Sequence, residues 1–272
     1  MKPKQICFVH IPSCGGTTFI SLLNAAYGGK NSIRIKDARK ALEQDADPAS
    51  TYAGKDSVAG HFGYSFANRW FPDRAKITLL RDPIERLQSQ MNRHLRRGRL
   101  NRKNIDKLIS PETIGPATHK LAFYLSDAPT PHGEKLPQVD GDPDEIVEAC
   151  VRSLKDNFVA FGFQERFDET MFMFADALGW KEVPTYDKRN YAASKDLLLS
   201  DEQRETLREK LSIEMAIFER AKALFDERWA ALSERLPEGA LEAYRARLEE
   251  RRHRLEAEEG ADRYSKAPRV SS

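Results

Sequence analysis

The sequence predicts an α/β fold, with a parallel sheet as the middle of three layers and helices covering both faces. Two observations predict it. Short apolar, β-branched runs alternate with longer amphipathic stretches, and the strand-like runs end in proline, glycine, histidine or arginine, at the edge where open parallel sheets collect their ligands. Residues 6–11 read as a strand feeding a helix over 17–26; residues 58–60 form a short strand; residues 76–80 form a strand feeding a helix over 83–97. Asp142-Pro143-Asp144-Glu145 starts a helix that runs through Leu154, residues 157–161 make another strand, and Asp168 opens a helix that Gly179 closes. Strands this uniformly apolar are buried on both faces.

From Ser200 the pattern is helical. Gln203 completes a capping box with Ser200, and Leu207, Leu211, Met215, Phe218, Ala221 and Phe225 recur at three- and four-residue steps, as one helix packed on the sheet requires. Beyond Pro237 the stripe thins to Leu241, Tyr244, Leu248 and Leu255, with Arg251 interrupting it in a run of Glu and Arg. This stretch reads either as a solvated charged helix with a frayed tail after Gly260 or as a helix that dimerises or binds a partner. The chain therefore divides into a main domain over 1–235 and a charged C-terminal helix and tail over 236–272. Residues 126–142, with Pro129, Pro131 and Pro137, read as a surface loop or a lid over an acceptor site.

Composition narrows the function classes. The 272 residues carry 44 Lys and Arg against 42 Asp and Glu, a net charge of +2, which is no signature of nucleic-acid binding. Cys7, Cys14 and Cys150 are odd in number and lack C-x-x-C spacing, so neither a disulfide framework nor a zinc site is supported and a reducing compartment is the simpler reading. The apolar run before Pro12 is far shorter than the ~20 residues of a membrane span. A cytoplasmic chain that does not enter membranes is expected.

The chemistry is concentrated in Phe8-Val9-His10-Ile11-Pro12-Ser13-Cys14-Gly15-Gly16-Thr17-Thr18. A strand breaks into a glycine pair that can take positive φ and approach an anion closely, and then into two hydroxyls where the first amides of a helix converge. The loop is P-loop-like without being a Walker loop, because no lysine follows its glycines. A second segment, Arg81-Asp82-Pro83-Ile84-Glu85-Arg86-Leu87-Gln88-Ser89, puts a guanidinium at a strand end, an N-cap and a proline at the helix start, and a hydroxyl two turns further on. Two phosphate subsites are the natural reading. His10 lies within the first strand and reads as a core group or one standing behind the site. Cys14 would be a nucleophile only with a partner that the sequence does not supply.

Together the two motifs resemble those of the PAPS-dependent sulfotransferases, most closely the branch of the heparan sulfate and uronyl 2-O-sulfotransferases. Val58-Ala59-Gly60-His61-Phe62, residues 161–167 and residues 190–194 extend the resemblance, which covers roughly residues 5 to 230. It implies a sulfotransferase fold and transfer of a sulfuryl group from PAPS to a hydroxyl, leaving PAP, with no metal. Cys14, Gly15, Gly16, Thr17 and Thr18 would bind the 5′-phosphosulfate, Arg81 and Ser89 the 3′-phosphate, with Lys188 and Arg189 as weaker cofactor contacts. His61 would take the proton from the acceptor hydroxyl. A carbohydrate acceptor is implied, and Arg93, Arg96 and Arg97, in a run without acidic residues, would suit an anionic glycan. The chain departs from the family at Ser13, where the family has a lysine that stabilises charge on the departing oxygen. Two rival readings follow: a homologue that binds PAPS or PAP with impaired turnover, and a nucleotide-dependent phosphotransferase, disfavoured by the missing Walker lysine.

Overall fold

The computed structural model describes residues 4–35, 47–109, 120–126, 141–187 and 197–265. Five strands form one sheet among them: β1 (Ile6–Val9), β2 (Ser32–Ile35), β3 (Ser57–Gly60), β4 (Ala75–Leu80) and β5 (Ala160–Phe163). All pair in parallel, in the order β2-β3-β1-β4-β5. The first strand in the chain is thus the middle strand in space, flanked by β3 and β4. Its four residues are fully buried, as a central parallel strand must be.

Helices lie against both faces. On one, Phe8 of β1 meets Phe19 of α1 (Gly16–Tyr27) edge-on at 4.8 Å, and Phe19 meets Phe174 of α8 (Phe167–Leu178) at 5.0 Å. On the other, Phe161 and Phe163 of β5 face Phe225 and Phe218 of α10 (Ser212–Ser233), with centroids 6.3 and 5.3 Å apart. The remaining described helices are α2 (Pro48–Thr51), α3 (Tyr64–Trp70), α4 (Pro83–Arg96), α5 (Ile105–Ile109), α6 (Lys120–Leu125), α7 (Pro143–Asp156), α9 (Asp201–Lys210) and α11 (Ala240–Ser265). None of the described helices is long and apolar enough to cross a membrane.

Local signals place most starts and stops. Asp82 Oδ1 accepts from the Ile84 and Glu85 amides at 2.9 Å with Pro83 at the first helical position, Asp142 does the same for α7, and Gly179 ends α8 at φ 69°. The Ser200–Gln203 capping box is formed in both directions.

Four expectations change. The strand expected over 157–161 lies at 160–163, because Asn157 still caps α7 through the Ser153 carbonyl. The single helix expected from Ser200 is two, broken at Leu211 (φ −101°, ψ 22°). Its stripe serves two surfaces: Leu207 and Leu211 join Ile84 and Met91 of α4 in a small cluster, with Met215 packed against it, whereas Ile217, Phe218, Ala221 and Phe225 enter the main core. β2 and α3 have no counterpart among the expected elements. The C-terminal helix is also neither solvated nor unpartnered along its first turns: Tyr244 is fully buried against Phe172 of α8 at 5.3 Å, and its hydroxyl donates to the Pro184 carbonyl at 2.8 Å. Residues 236–248 accordingly belong to the main core rather than to a separate tail. Most of the expected 126–142 loop, together with Lys188, Arg189 and residues 190–194, lies outside the described residues.

Candidate functional site

The carboxyl ends of β3, β1 and β4 lie side by side in the sheet, and each is followed by one of the residues or loops singled out from the sequence. After β1 the chain turns through residues 10–15 into α1. Ser13 takes φ 69° and Gly15 φ 79°, so the loop makes two left-handed steps, one of them with a side chain attached. A non-glycine residue in that region is strained by about 1 kcal/mol or more. Gly16 is required for a different reason. A Cβ there would stand 2.1 Å from His10 Nε2, so the α1 N-terminus is seated directly on the imidazole. Cys14 is fully buried and its thiol is pushed up to about 12 by burial, which removes it as a nucleophile. Thr17 is exposed and Thr18 half-buried at the first turn of α1.

Arg81, just past β4, binds this loop directly. Its NH1 donates to the Ser13 carbonyl at 3.2 Å and its NH2 stands 3.8 Å from Glu85, while its Nε is buried without a hydrogen-bond partner. The next residue is held from β5's side: the Asp82 amide donates to Glu165 Oε1 at 3.0 Å, and burial raises the Glu165 carboxyl above its ordinary range. Ser89 is half-buried one turn after Glu85 on the same stripe of α4, so it lies on the side of the helix that faces Arg81.

His61, just past β3, is oriented by two bonds that also fix its tautomer. Its Nδ1 lies 2.8 Å from the His10 carbonyl, which can only accept, so Nδ1 carries the hydrogen. Its Nε2 lies 3.2 Å from Arg34 NH2, which can only donate, so Nε2 carries the lone pair. The two imidazoles lie against each other tilted by 32°, with centroids 4.2 Å apart. Burial, together with the charges of Arg34, Arg93 and Lys120, pulls the His61 pKa down, against the pull of the His10 carbonyl. His10 is lowered further, to about 3, chiefly by burial, and its Nδ1 has no hydrogen-bond partner. Both rings are neutral at pH 7, and His61 has its basic nitrogen pointed at a guanidinium rather than at the protein interior.

The arginine run on α4 separates by depth. Arg93 is half-buried and its charge reaches both imidazoles, whereas Arg96 and Arg97 are exposed at the helix end. Near Cys14 lies a buried charged group that the motifs did not mark. Glu214 is fully buried, which raises its carboxyl above the ordinary range; it accepts from the Leu121 and Ala122 amides at 2.8 and 3.1 Å, capping α6, and those bonds with the fully buried Arg86 and the Lys120 ammonium oppose the rise. Burial and Arg86 bring Lys120 down to about 8. Arg34 could have been found from the alternation Ser32-Ile33-Arg34-Ile35, in which the isoleucines point to one face. Glu214 sits in the apolar stripe of a helix and gives no sequence signal of its own. Among the described residues no group of three or more His, Cys, Asp or Glu could hold a metal ion.

No protein-family model matches the chain, and no curated protein matches its sequence. The functional reading therefore rests on the strand-end residues and on the motifs that carry them.

Proposed function

We propose that this chain is a PAPS-dependent O-sulfotransferase of P-loop-like sulfotransferase fold, acting in the cytoplasm on a hydroxyl-bearing acceptor, with an anionic carbohydrate as the acceptor class. The observation that carries the reading is the convergence at three neighbouring strand ends of a strained glycine loop, an arginine bonded to that loop, and a neutral histidine with a fixed tautomer. A donor fits the loop side, where Arg81 Nε is a buried donor lacking a partner and Thr17 is exposed at the first turn of α1. When bound, PAPS supplies the activated sulfuryl group. The loop amides and Arg81 hold its phosphates, and His61 Nε2 is the atom that takes the acceptor proton once the hydroxyl displaces Arg34. The positive charges of Arg34, Arg93 and Lys120 around His61 suit an acceptor that carries a carboxylate or sulfate.

One observation favours a second reading, a PAPS or PAP binder with impaired turnover. Ser13 occupies the family's lysine position, and its carbonyl is already bound to Arg81. Turnover of labelled PAPS over a panel of glycans separates the two, and thermal shift with PAP against ATP excludes or admits the phosphotransferase. Losing a cationic donor at the departing oxygen costs roughly 3 kcal/mol of barrier, so Ser13→Lys should raise turnover about a hundredfold. An unchanged rate in Ser13→Lys would mean that another cation already serves that oxygen.

A further inference from the structure

Residues 197–200 and α9 dock along α4 through a ladder of side-chain bonds for which no motif accounts. Glu85, Gln88 and Asn92 follow one another at three- and four-residue steps, so they form one stripe of α4. Asn92 exchanges two bonds with Leu197, donating to its carbonyl at 3.1 Å and accepting from its amide at 2.6 Å. Gln88 Oε1 accepts from the Leu199 amide at 3.2 Å and from Arg204 NH2 at 3.1 Å. At the N-terminal end of the stripe Arg204 NH1 donates to Glu85 Oε1 at 2.8 Å. Leu199, Leu207 and Leu211 pack with Ile84 and Met91 beside these bonds. A guanidinium 119 residues further along the chain is thus held at two points on the first turns of α4.

Glu85 therefore stands between two guanidiniums. Its Oε1 is bonded to Arg204, whereas its Oε2 lies 3.8 Å from Arg81 NH2, beyond hydrogen-bonding distance. The neighbouring carboxylates are engaged by main-chain amides: Asp82 by those of Ile84 and Glu85, and Glu165 by that of Asp82. Arg81 spends NH1 on the Ser13 carbonyl and keeps a buried Nε without a partner. How much of its charge is left for an anion depends on which guanidinium Glu85 neutralises. All three side chains are half-buried, so their charges are screened less than those on an open surface.

We propose that Arg204 is a positioning residue of the phosphate site, which by engaging Glu85 leaves Arg81 NH2 and Nε to a phosphate. The inference rests on the nucleotide reading of the loop and adds to it the residue, from another part of the chain, that sets the strength of Arg81. Without Arg204, Glu85 has a single guanidinium within reach, and it closes on Arg81 as an ion pair at four-residue spacing. That carboxylate then competes with the phosphate for the same N–H groups and repels it. Arg204 acts through Glu85 rather than on the ligand, so its effect disappears when Glu85 carries no charge.

The test is calorimetry of PAP and 5′-AMP on the wild type, Arg204→Gln, Arg204→Lys and the double variant Arg204→Gln/Glu85→Gln. Glutamine retains an N–H donor and lysine retains the charge at this position. Arg204→Gln should bind PAP about tenfold more weakly and 5′-AMP nearly as the wild type does, while Arg204→Lys should lose no more than about threefold for PAP. Adding Glu85→Gln should bring PAP affinity back to within about twofold of the wild type. A thermal scan should show the double variant no more stable than Arg204→Gln, so that binding recovers without any recovery of stability, which a folding defect cannot imitate. Unchanged PAP affinity in Arg204→Gln, or a double variant that binds no better than the single one, overturns the positioning role and leaves the nucleotide reading standing. Failure of the wild type to bind PAP overturns both.

Discussion

Where residues 12–18 turn from β1 into α1, backbone geometry does the positioning: two left-handed residues, a glycine pressed against an imidazole, and a main-chain carbonyl gripped by Arg81. Around His61, on the other side of His10, side chains do it. A guanidinium holds one ring nitrogen, a carbonyl holds the other, and burial, helped by three cations, lowers the basicity. The loop is therefore sensitive to added atoms, whereas the His61 corner responds to charge. His10 belongs to both, with its ring under Gly16 and its carbonyl under His61.

The comparison breaks most visibly at His61. If His61 Nε2 takes the acceptor proton, His61→Ala should lower turnover by about 10² to 10⁴ while PAP affinity, measured by calorimetry, stays near wild type. A parallel loss of affinity would make His61 part of the loop's scaffold and dissolve the distinction between the two sides.

Next in size is Gly16→Ala. With the added methyl 2.1 Å from His10 Nε2, either α1 or the imidazole must move, and a loss of roughly 3 kcal/mol in denaturant unfolding is expected. Adding His10→Ala should recover part of that loss, since the obstacle is then gone. A double variant no better than the single would place the clash elsewhere.

Arg81→Ala is smaller. Removing a charge-assisted donor should cost about 2 kcal/mol of PAP affinity and leave 5′-AMP affinity closer to wild type, because the lost contact belongs to the 3′-phosphate. A wild type that already binds PAP and 5′-AMP alike would withdraw that role from Arg81.

The most gradual effect, spread over several pH units, sharpens the contrast through pH. His10 is held near 3 in the folded protein against an ordinary value of 6.5. Between those values the unfolded chain takes up a proton that the folded one refuses, so stability is complete above pH 6.5 and falls as pH drops toward 3, by at most about 1.4 kcal/mol per pH unit from this group. Unfolding titrations of His10→Ala should be less stable at pH 7 and flatter between pH 6 and 4. An equally steep acid limb would assign the slope to other groups.

Much of this was legible in the sequence, for reasons that differ from residue to residue. The glycine loop, the Asp82-Pro83 start of α4, the Gly179 stop and the Ser200 capping box depend on a few neighbouring residues, and the structure forms each where the sequence puts it. β2, and with it Arg34, the partner of His61, carries only the alternation Ser32-Ile33-Arg34-Ile35, four residues after two glycines, a signal readable in hindsight but too short to mark a strand by itself. The break at Leu211 was hidden because the apolar stripe continues through it and only its targets change. The burial of Tyr244 depends on where α8 and residues 184–187 lie in space, which no local pattern records.

The middle position of β1 also governs the order of assembly. β1 cannot pair on either side until β3 and β4 exist, so the glycine loop stays unclasped until Arg81 has been made. A nascent chain halted before α11 would hold a formed sheet with the Pro184 carbonyl unfastened and apolar surface of α8 uncovered around Phe172. Such an intermediate would be prone to self-association until the last helix has docked.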